Sequence, residues 1–186
     1  MNYVLASKSP RRQELLSLVV NEFEIDAVET NEVIDESIPF TKAIEKIALG
    51  KAEAVATKHP ESVIISADTI VTLGPKRYGK PKDAADAVAM LEELSGNTHE
   101  VITGVCLYYK GKVQTFSNVS KVKFYPLTAQ EIKAYVDSKE PLDKAGAYGI
   151  QGLGSLLIEE ISGDFYSIMG LPISQLKREL EKFVTE

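Results

Sequence analysis

An apolar run that passes through a serine-bearing turn straight into a helix start constrains this chain most: Ala6-Ser7-Lys8-Ser9-Pro10-Arg11-Arg12-Gln13-Glu14-Leu15-Leu16. Residues 3–6 read as a strand. Ser9 takes the N-cap position with a side chain suited to capping, and Pro10 the first helical position, where its missing N–H costs nothing. Leu15, Leu16, Leu18 and Val19 supply the helix with an apolar face. Arg11 and Arg12 then fall in the first turn, where free N–H groups already make the helix end positive. A bound anion removes that conflict. A turn carrying Ser7 and Ser9, a helix N-terminus and two arginines suit a phosphate group. The alternative is two solvated arginines on a surface helix.

The charge balance makes this basic cluster stand out. The chain has 186 residues and a net charge of -6, so a nucleic-acid backbone is a poor partner. A composition 44% hydrophobic and 26% charged belongs to a folded protein with one sizeable core. Cys106 is the one cysteine, which excludes an internal disulfide, and with His59 and His99 it cannot build a common zinc site. A metal would need oxygen ligands, which points to magnesium or manganese. No stretch approaches the roughly 18 apolar residues of a membrane span, and the N-terminus lacks a signal-peptide core. No membrane partner is expected, and the cytoplasm is the expected location.

Further along, residues 23–27 read as a short strand and residues 28–39 as an acidic loop with Glu29, Glu32, Asp35 and Glu36. Such a run is usually solvated, but one or two of its carboxylates could serve a metal. Ile44, Ile47, Ala48, Ala52 and Val55 recur at helical spacing over residues 40–58. Lys51 lies beside that stripe, either exposed or turned into a cleft. Residues 62–67 are the best buried strand, Asp68-Thr69 follows directly, and residues 70–73 continue as a strand. A carboxylate there is costly unless paired, hydrogen-bonded or metal-bound, and a turn aspartate is the plainer reading. Residues 74–80 match the G-x-x-x-x-G-K spacing, but Pro81 stands where the magnesium-binding hydroxyl belongs. A hairpin loop fits better, with Lys80 able to face an anion.

Asp83 caps a helix over residues 84–94, which Ser95-Gly96 ends. Residues 98–109 and 113–125 alternate and are joined by Lys110-Gly111-Lys112, so they read as a hairpin. Thr128-Ala129-Gln130-Glu131 is a capping box opening a helix to about Val136. Gly146, Gly149, Gly152 and Gly154 surround Gln151, in a loop whose backbone could come close to a ligand. Residues 155–161 and 165–169 read as strands, and a last helix runs to about Phe183. Alternating helices and strands followed by a hairpin predict one mixed α/β domain, with two lobes about a central cleft as a variant.

Read together, several stretches resemble one family. Ser7-Lys8-Ser9-Pro10-Arg11-Arg12-Gln13-Glu14-Leu15-Leu16, Gly50-Lys51-Ala52, Ala67-Asp68-Thr69, Gly79-Lys80-Pro81, Leu94-Ser95-Gly96-Asn97-Thr98-His99, Lys144-Ala145-Gly146-Ala147-Tyr148-Gly149-Ile150-Gln151-Gly152 and Met169-Gly170-Leu171-Pro172 follow the order of the Maf family of nucleoside triphosphate pyrophosphatases. The resemblance runs from residue 7 to residue 172, over a single domain spanning residues 1–186 with a Maf/ITPase-like fold. It implies hydrolysis of a nucleoside triphosphate to the monophosphate and diphosphate with a divalent metal, Mg2+ or Mn2+. The implied role is cleansing of the nucleotide pool, and some members are linked to septum formation and division arrest. Asp68 resembles the family's proton acceptor. Arg11, Arg12, Lys51 and Lys80 would supply positive charge to the phosphates, with Ser7 and Ser9 in the phosphate-binding turn. Asp68 and Glu32 would hold the metal, although Asn31 stands where an acid is frequent. The family's branches differ at Arg11, Thr69 and Gln151, and this combination resembles the branch acting on dTTP and UTP. The rival readings are a 7-methyl-GTP pyrophosphatase and a nucleotide-sensing regulator of division without turnover. A homodimer is compatible with either.

Overall fold

The computed structural model describes residues 1–30 and 33–185. Its elements are β1 (Asn2–Leu5), α1 (Pro10–Ser17), β2 (Glu24–Ile25), α2 (Phe40–Ala56), β3 (Ser62–Leu73), β4 (Lys76–Tyr78), α3 (Ala84–Leu94), β5 (Thr98–Tyr109), β6 (Lys112–Phe124), α4 (Ala129–Asp137), β7 (Ile158–Ser162), α5 (Phe165–Met169) and α6 (Ile173–Thr185). Short 3-10 turns connect α4 to β7. The mixed sheet has the strand order β2-β1-β3-β5-β6-β7, with β4 beside β3. β1 pairs in parallel with both β2 and β3, and α1 and α2 supply the long crossovers that parallel neighbours need. β3 turns back antiparallel on β4, with Leu73 opposite Lys76, which bears out the hairpin reading of the G-x-x-x-x-G-K stretch.

The chain divides into two compact units. The first comprises Met1–Thr69, Thr103–Asn118 and Gly170–Glu186, the second Ile70–Ile102 and Val119–Met169. In the first unit the expected stripe of α2 is buried. Ala48, Ala52 and Val55 pack on Val4, Ala6, Ile64 and Cys106. Burial pushes the Cys106 thiol up to about 12, helped by Glu53, so it is a core residue and not a nucleophile. α2 lies very close to β5. A Cβ built at Gly104 would stand 2.7 Å from the Ile44 carbonyl carbon and 2.8 Å from the Glu45 nitrogen. Glu45, on the same helix, is also buried. It accepts from Lys42 (2.9 Å), Thr115 (3.0 Å) and Ser117 (2.9 Å), which satisfies a carboxylate that burial would otherwise penalise.

The second unit gathers Val71, Leu91, Leu94, Val101, Phe124, Ile132 and Tyr135 into its own core. His99, Phe124 and Tyr148 meet edge to face there, with ring centroids 4.7 to 5.3 Å apart. Asp83 caps α3 by accepting from the Asp86 N–H, and Thr128 and Glu131 form the capping box of α4, both as expected.

Four expectations need correction. Ser9 holds the N-cap position of α1, but its side chain makes no capping bond. Asp68-Thr69 forms no turn, because β3 is continuous through both residues. Residues 152–157 form a 3-10 turn (Gly152–Leu157), so the strand expected from residue 155 starts only at Ile158. Residues 165–169 are a helix, not a strand. Asp164 precedes them and accepts from the Tyr166 and Ser167 N–H groups (2.8 and 3.3 Å), capping that turn of helix. Among the described residues no helix is long and apolar enough to cross a membrane.

Candidate active site

In the first unit, the loop leaving β1 and the middle of β3 bring charged and hydroxyl side chains together. The last β1–β3 pair is Leu5 opposite Ile65, so Asp68 and Thr69 stand just past the end of β1, beside the loop that carries Ser7. The carboxyl ends of parallel strands are where α/β sheets bind ligands, because their edges and loops are open there. Successive strand residues face opposite ways. Ile64, Ser66 and Asp68 therefore share the face covered by α2. Ser66 donates to the Ala48 carbonyl (2.5 Å), and the Lys51 ammonium donates to Asp68 Oδ1 at 2.6 Å. Both members of this ion pair are mostly buried, at 14% and 15% exposure, so the contact is poorly screened. Lys51, which the helical stripe left either exposed or turned inward, is turned inward.

Thr69 faces the other way. Its hydroxyl accepts from Arg12 Nη2 (3.1 Å) and pairs with the hydroxyl of Thr103 (2.8 Å). Arg12 is held at two further points: Nε donates to the Gly170 carbonyl (2.9 Å) and Nη1 to Ser7 Oγ (3.3 Å). These three acceptors are neutral. They hold the guanidinium at three points, a geometry that suits anion binding. Ser7 Oγ also accepts from the Ser9 N–H (3.3 Å), which shapes the turn. Arg11 lies half-buried in the first turn of α1.

Thus Ser7, Ser9, Arg12, Lys51, Asp68 and Thr69 gather in the first unit. Lys80 and Gln151 belong to the second unit, and both are exposed. Glu32 lies outside the described residues. Thr103 and the Gly170 carbonyl escaped the sequence reading. Gly170 sits in a stretch that carries the family resemblance, whereas nothing local singles out Thr103 from any other strand threonine.

Among the described residues no three His, Cys, Asp or Glu side chains gather to hold a metal ion. Asp68 is the one expected metal ligand among them. A single hard carboxylate does not make a cage for calcium or zinc. It does fit magnesium or manganese, which keep several waters and bind through one or two carboxylates plus substrate phosphates.

Comparison with known proteins shows the family. The family model described as "Maf-like protein" matches residues 2–183. The chain belongs to the Maf family. A relative from Bacillus cytotoxicus named dTTP/UTP pyrophosphatase is 51% identical over 181 residues, covering 97% of this chain and 95% of its own length. A Bacillus cereus relative with the same name is 51% identical over 180 residues, covering 97% and 94%. Among solved structures, the Ham1 protein of Staphylococcus aureus aligns with a TM-score of 0.53 at 11% identity, over 98% of this chain and 99% of that one. A HAM1 protein from Coxiella burnetii gives 0.52 at 14%, with the same coverage. At those identities the likeness extends to the Maf chain's fold alone, a mixed sheet with helices.

Proposed function

We propose that this Maf protein hydrolyses dTTP and UTP to the nucleoside monophosphate and diphosphate, and that it does so in the cytoplasm as one domain spanning residues 1–186. The observation that carries the reading is the Lys51–Asp68 pair, a largely buried carboxylate and ammonium 2.6 Å apart beside the end of β1. Water adds to the α-phosphorus, the bond to the oxygen bridging the β-phosphorus breaks, and diphosphate leaves with that oxygen. Asp68 orients the water and takes its proton, which then passes to solvent. Lys51 moves its charge from Asp68 to the phosphates as the triphosphate binds, which releases the carboxylate when it is needed. Arg12, pre-oriented by Ser7, Thr69 and the Gly170 carbonyl, neutralises charge on the leaving diphosphate without reorganising. Lys80 supplies a further cation, and Ser7 and Ser9 line the phosphate-binding turn. Asp68, with Glu32, would hold the divalent cation, Mg2+ or Mn2+. When bound, it would neutralise phosphate charge and make the attacking water more acidic.

Base choice rests on Arg11, Thr69 and Gln151. The Gln151 amide offers one acceptor and two donors, which match the C=O and N3–H edge shared by uracil and thymine. Cytosine presents an acceptor at N3 and an amino group, so it pairs less well. Thr69 already accepts from Arg12, so its hydroxyl couples the base site to the phosphate site. The test is pyrophosphate release from dTTP, UTP, CTP and 7-methyl-GTP at equal concentration, by wild type and Gln151→Glu. dTTP and UTP are expected to lead, and the variant to lose that preference. A wild-type preference for 7-methyl-GTP would overturn the base assignment, and no release from any nucleotide would leave a sensor.

A further inference from the structure

The glycine-rich loop around Gln151 is tied at one end to the Glu140 carboxylate and at the other to the Tyr135 hydroxyl that donates to it. Glu140 opens a 3-10 turn (Glu140–Asp143) directly after Lys139, a non-glycine residue with φ +64°. Its Oε2 accepts from the Leu153 N–H (2.9 Å), and its Oε1 accepts from the Gly154 N–H (2.9 Å) and from the Tyr135 hydroxyl (3.0 Å). The Tyr135 oxygen in turn accepts from the Gly149 N–H at 3.2 Å. The Lys144 ammonium donates to the Glu140 backbone carbonyl (2.7 Å), fixing the turn that carries the carboxylate. Gln151 is thus the exposed side chain on a short arch whose two feet, at Gly149 and at Leu153-Gly154, rest on the same Glu140–Tyr135 pair.

The glycines of the arch fit closely around this pair. A Cβ at Gly152, which has φ +67°, would stand 2.7 Å from Glu140 Oε2, and one at Gly154 would stand 2.2 Å from the Gly149 carbonyl oxygen and 2.6 Å from the Tyr135 hydroxyl. Position 152 admits only glycine while Glu140 is in place, and position 154 does so because the arch also folds back on its own backbone at Gly149. The electrostatics agree. Burial by itself would raise the Glu140 carboxyl, but the Gly154 and Leu153 N–H groups, the Tyr135 hydroxyl and Lys144 outweigh it and hold the group below the ordinary carboxylate range. A carboxylate with backbone N–H groups aimed at it from a distant loop needs no nearby ligand to explain it.

We propose that Glu140 and Tyr135 are positioning residues for base selectivity, holding residues 149–154 in one conformation so that Gln151 meets a pyrimidine edge at a fixed distance. This rests on Gln151 as the base-reading residue. Discrimination between bases by hydrogen bonding collapses when the reading group is free to find other partners, because the wrong base then costs little. The clamp should therefore govern the ratio of specificity constants between bases more than turnover of the preferred one.

The experiment measures kcat/KM on dTTP, UTP and CTP for wild type, Glu140→Gln, Tyr135→Phe, Gln151→Ala and the Glu140→Gln/Gln151→Ala pair. Hydrogen exchange is followed at residues 149–154, and melting temperature reports the fold. Glu140→Gln turns an N–H donor toward backbone donors. It should lower the dTTP-to-CTP ratio about tenfold, the scale of one charge-assisted hydrogen bond, with a smaller loss of kcat on dTTP. Tyr135→Phe, which cuts the Gly149 foot and one of the three bonds to the Glu140 carboxylate, should act in the same direction and less. Both should speed exchange at residues 149–154, and Glu140→Gln should add nothing to the selectivity lost in Gln151→Ala. An equal fall on all three nucleotides, or an unchanged ratio with faster exchange, would overturn the clamp while Gln151→Ala still lost selectivity. If Gln151→Ala keeps the wild-type ratio, the base-reading assignment itself fails.

Discussion

At Asp68 a largely buried carboxylate is paired with the Lys51 ammonium at 2.6 Å, and in the proposed mechanism that ammonium moves to the phosphates when the triphosphate binds. Asp68→Asn should keep the fold, since the amide oxygen still accepts from Lys51, and lose roughly 10²–10⁴-fold in kcat, the usual contribution of a positioned proton acceptor. Circular dichroism and pyrophosphate release check both halves. Lys51→Met should raise KM more than it lowers kcat. An unchanged KM would reduce Lys51 to a counter-ion of Asp68. His99 makes a different kind of prediction. It is buried against Phe124 and Tyr148, with Nε2 2.7 Å from the Tyr148 hydroxyl, and burial pushes it down to about 4. Between that value and the ordinary 6.5 the unfolded chain binds the proton and the folded chain does not. Stability therefore falls as pH drops through this window, by on the order of 3 kcal/mol if the whole shift is expressed. Melting curves from pH 7 to pH 4.5 should fall more steeply for wild type than for His99→Gln.

At the scale of elements, the approach of α2 to β5 decides where Lys51 sits. A methyl group at Gly104 would press on the backbone of α2 at Ile44 and Glu45, which cannot rotate away as a side chain could. Gly104→Ala should therefore cost about 1–3 kcal/mol, the range for overpacking a core, and should also displace Lys51 from Asp68. Thermal melting measures the first effect. A drop in kcat/KM for dTTP larger than the stability loss accounts for measures the second. Unchanged melting and activity would mean that α2 can lift off the sheet at no cost. Loops that carry function are normally mobile, but the arch at residues 149–154 is held by N–H bonds from Leu153 and Gly154 to Glu140 and from Gly149 to Tyr135.

For the whole molecule, net charge and site charge point opposite ways. A chain of -6 repels a triphosphate at long range, and on the proposed reading attraction is local, from Arg11 and Arg12 in the first turn of α1 and from Lys51. A divalent cation would lessen that repulsion on the substrate side. Metal-stripped protein in excess chelator is expected to release no pyrophosphate from dTTP, and added Mg2+ or Mn2+ to restore release. Full turnover without metal would remove Asp68 and Glu32 from any metal-binding role.

The sequence by itself determined what short-range physics decides. The α2 stripe, the Asp83 cap, the Thr128–Glu131 capping box and the β5–β6 hairpin were legible because periodicity and caps act within a few residues. Family motifs singled out Arg12, Lys51 and Asp68 as well. Local pattern failed at residues 165–169, where a five-residue apolar run is too short to have a period and the Asp164 cap turned it into a helix. It failed again at Asp68-Thr69, where polar residues read as a turn but lie within a continuous strand because Lys51, Arg12 and Thr103 satisfy them. Only the tertiary structure could set Thr103 against Thr69, the Gly170 carbonyl against Arg12, and Glu140 under the arch of Gln151. Each of these contacts joins residues distant in sequence, and hydrogen bonds a few ångströms long leave no trace in the spacing of the residues that make them.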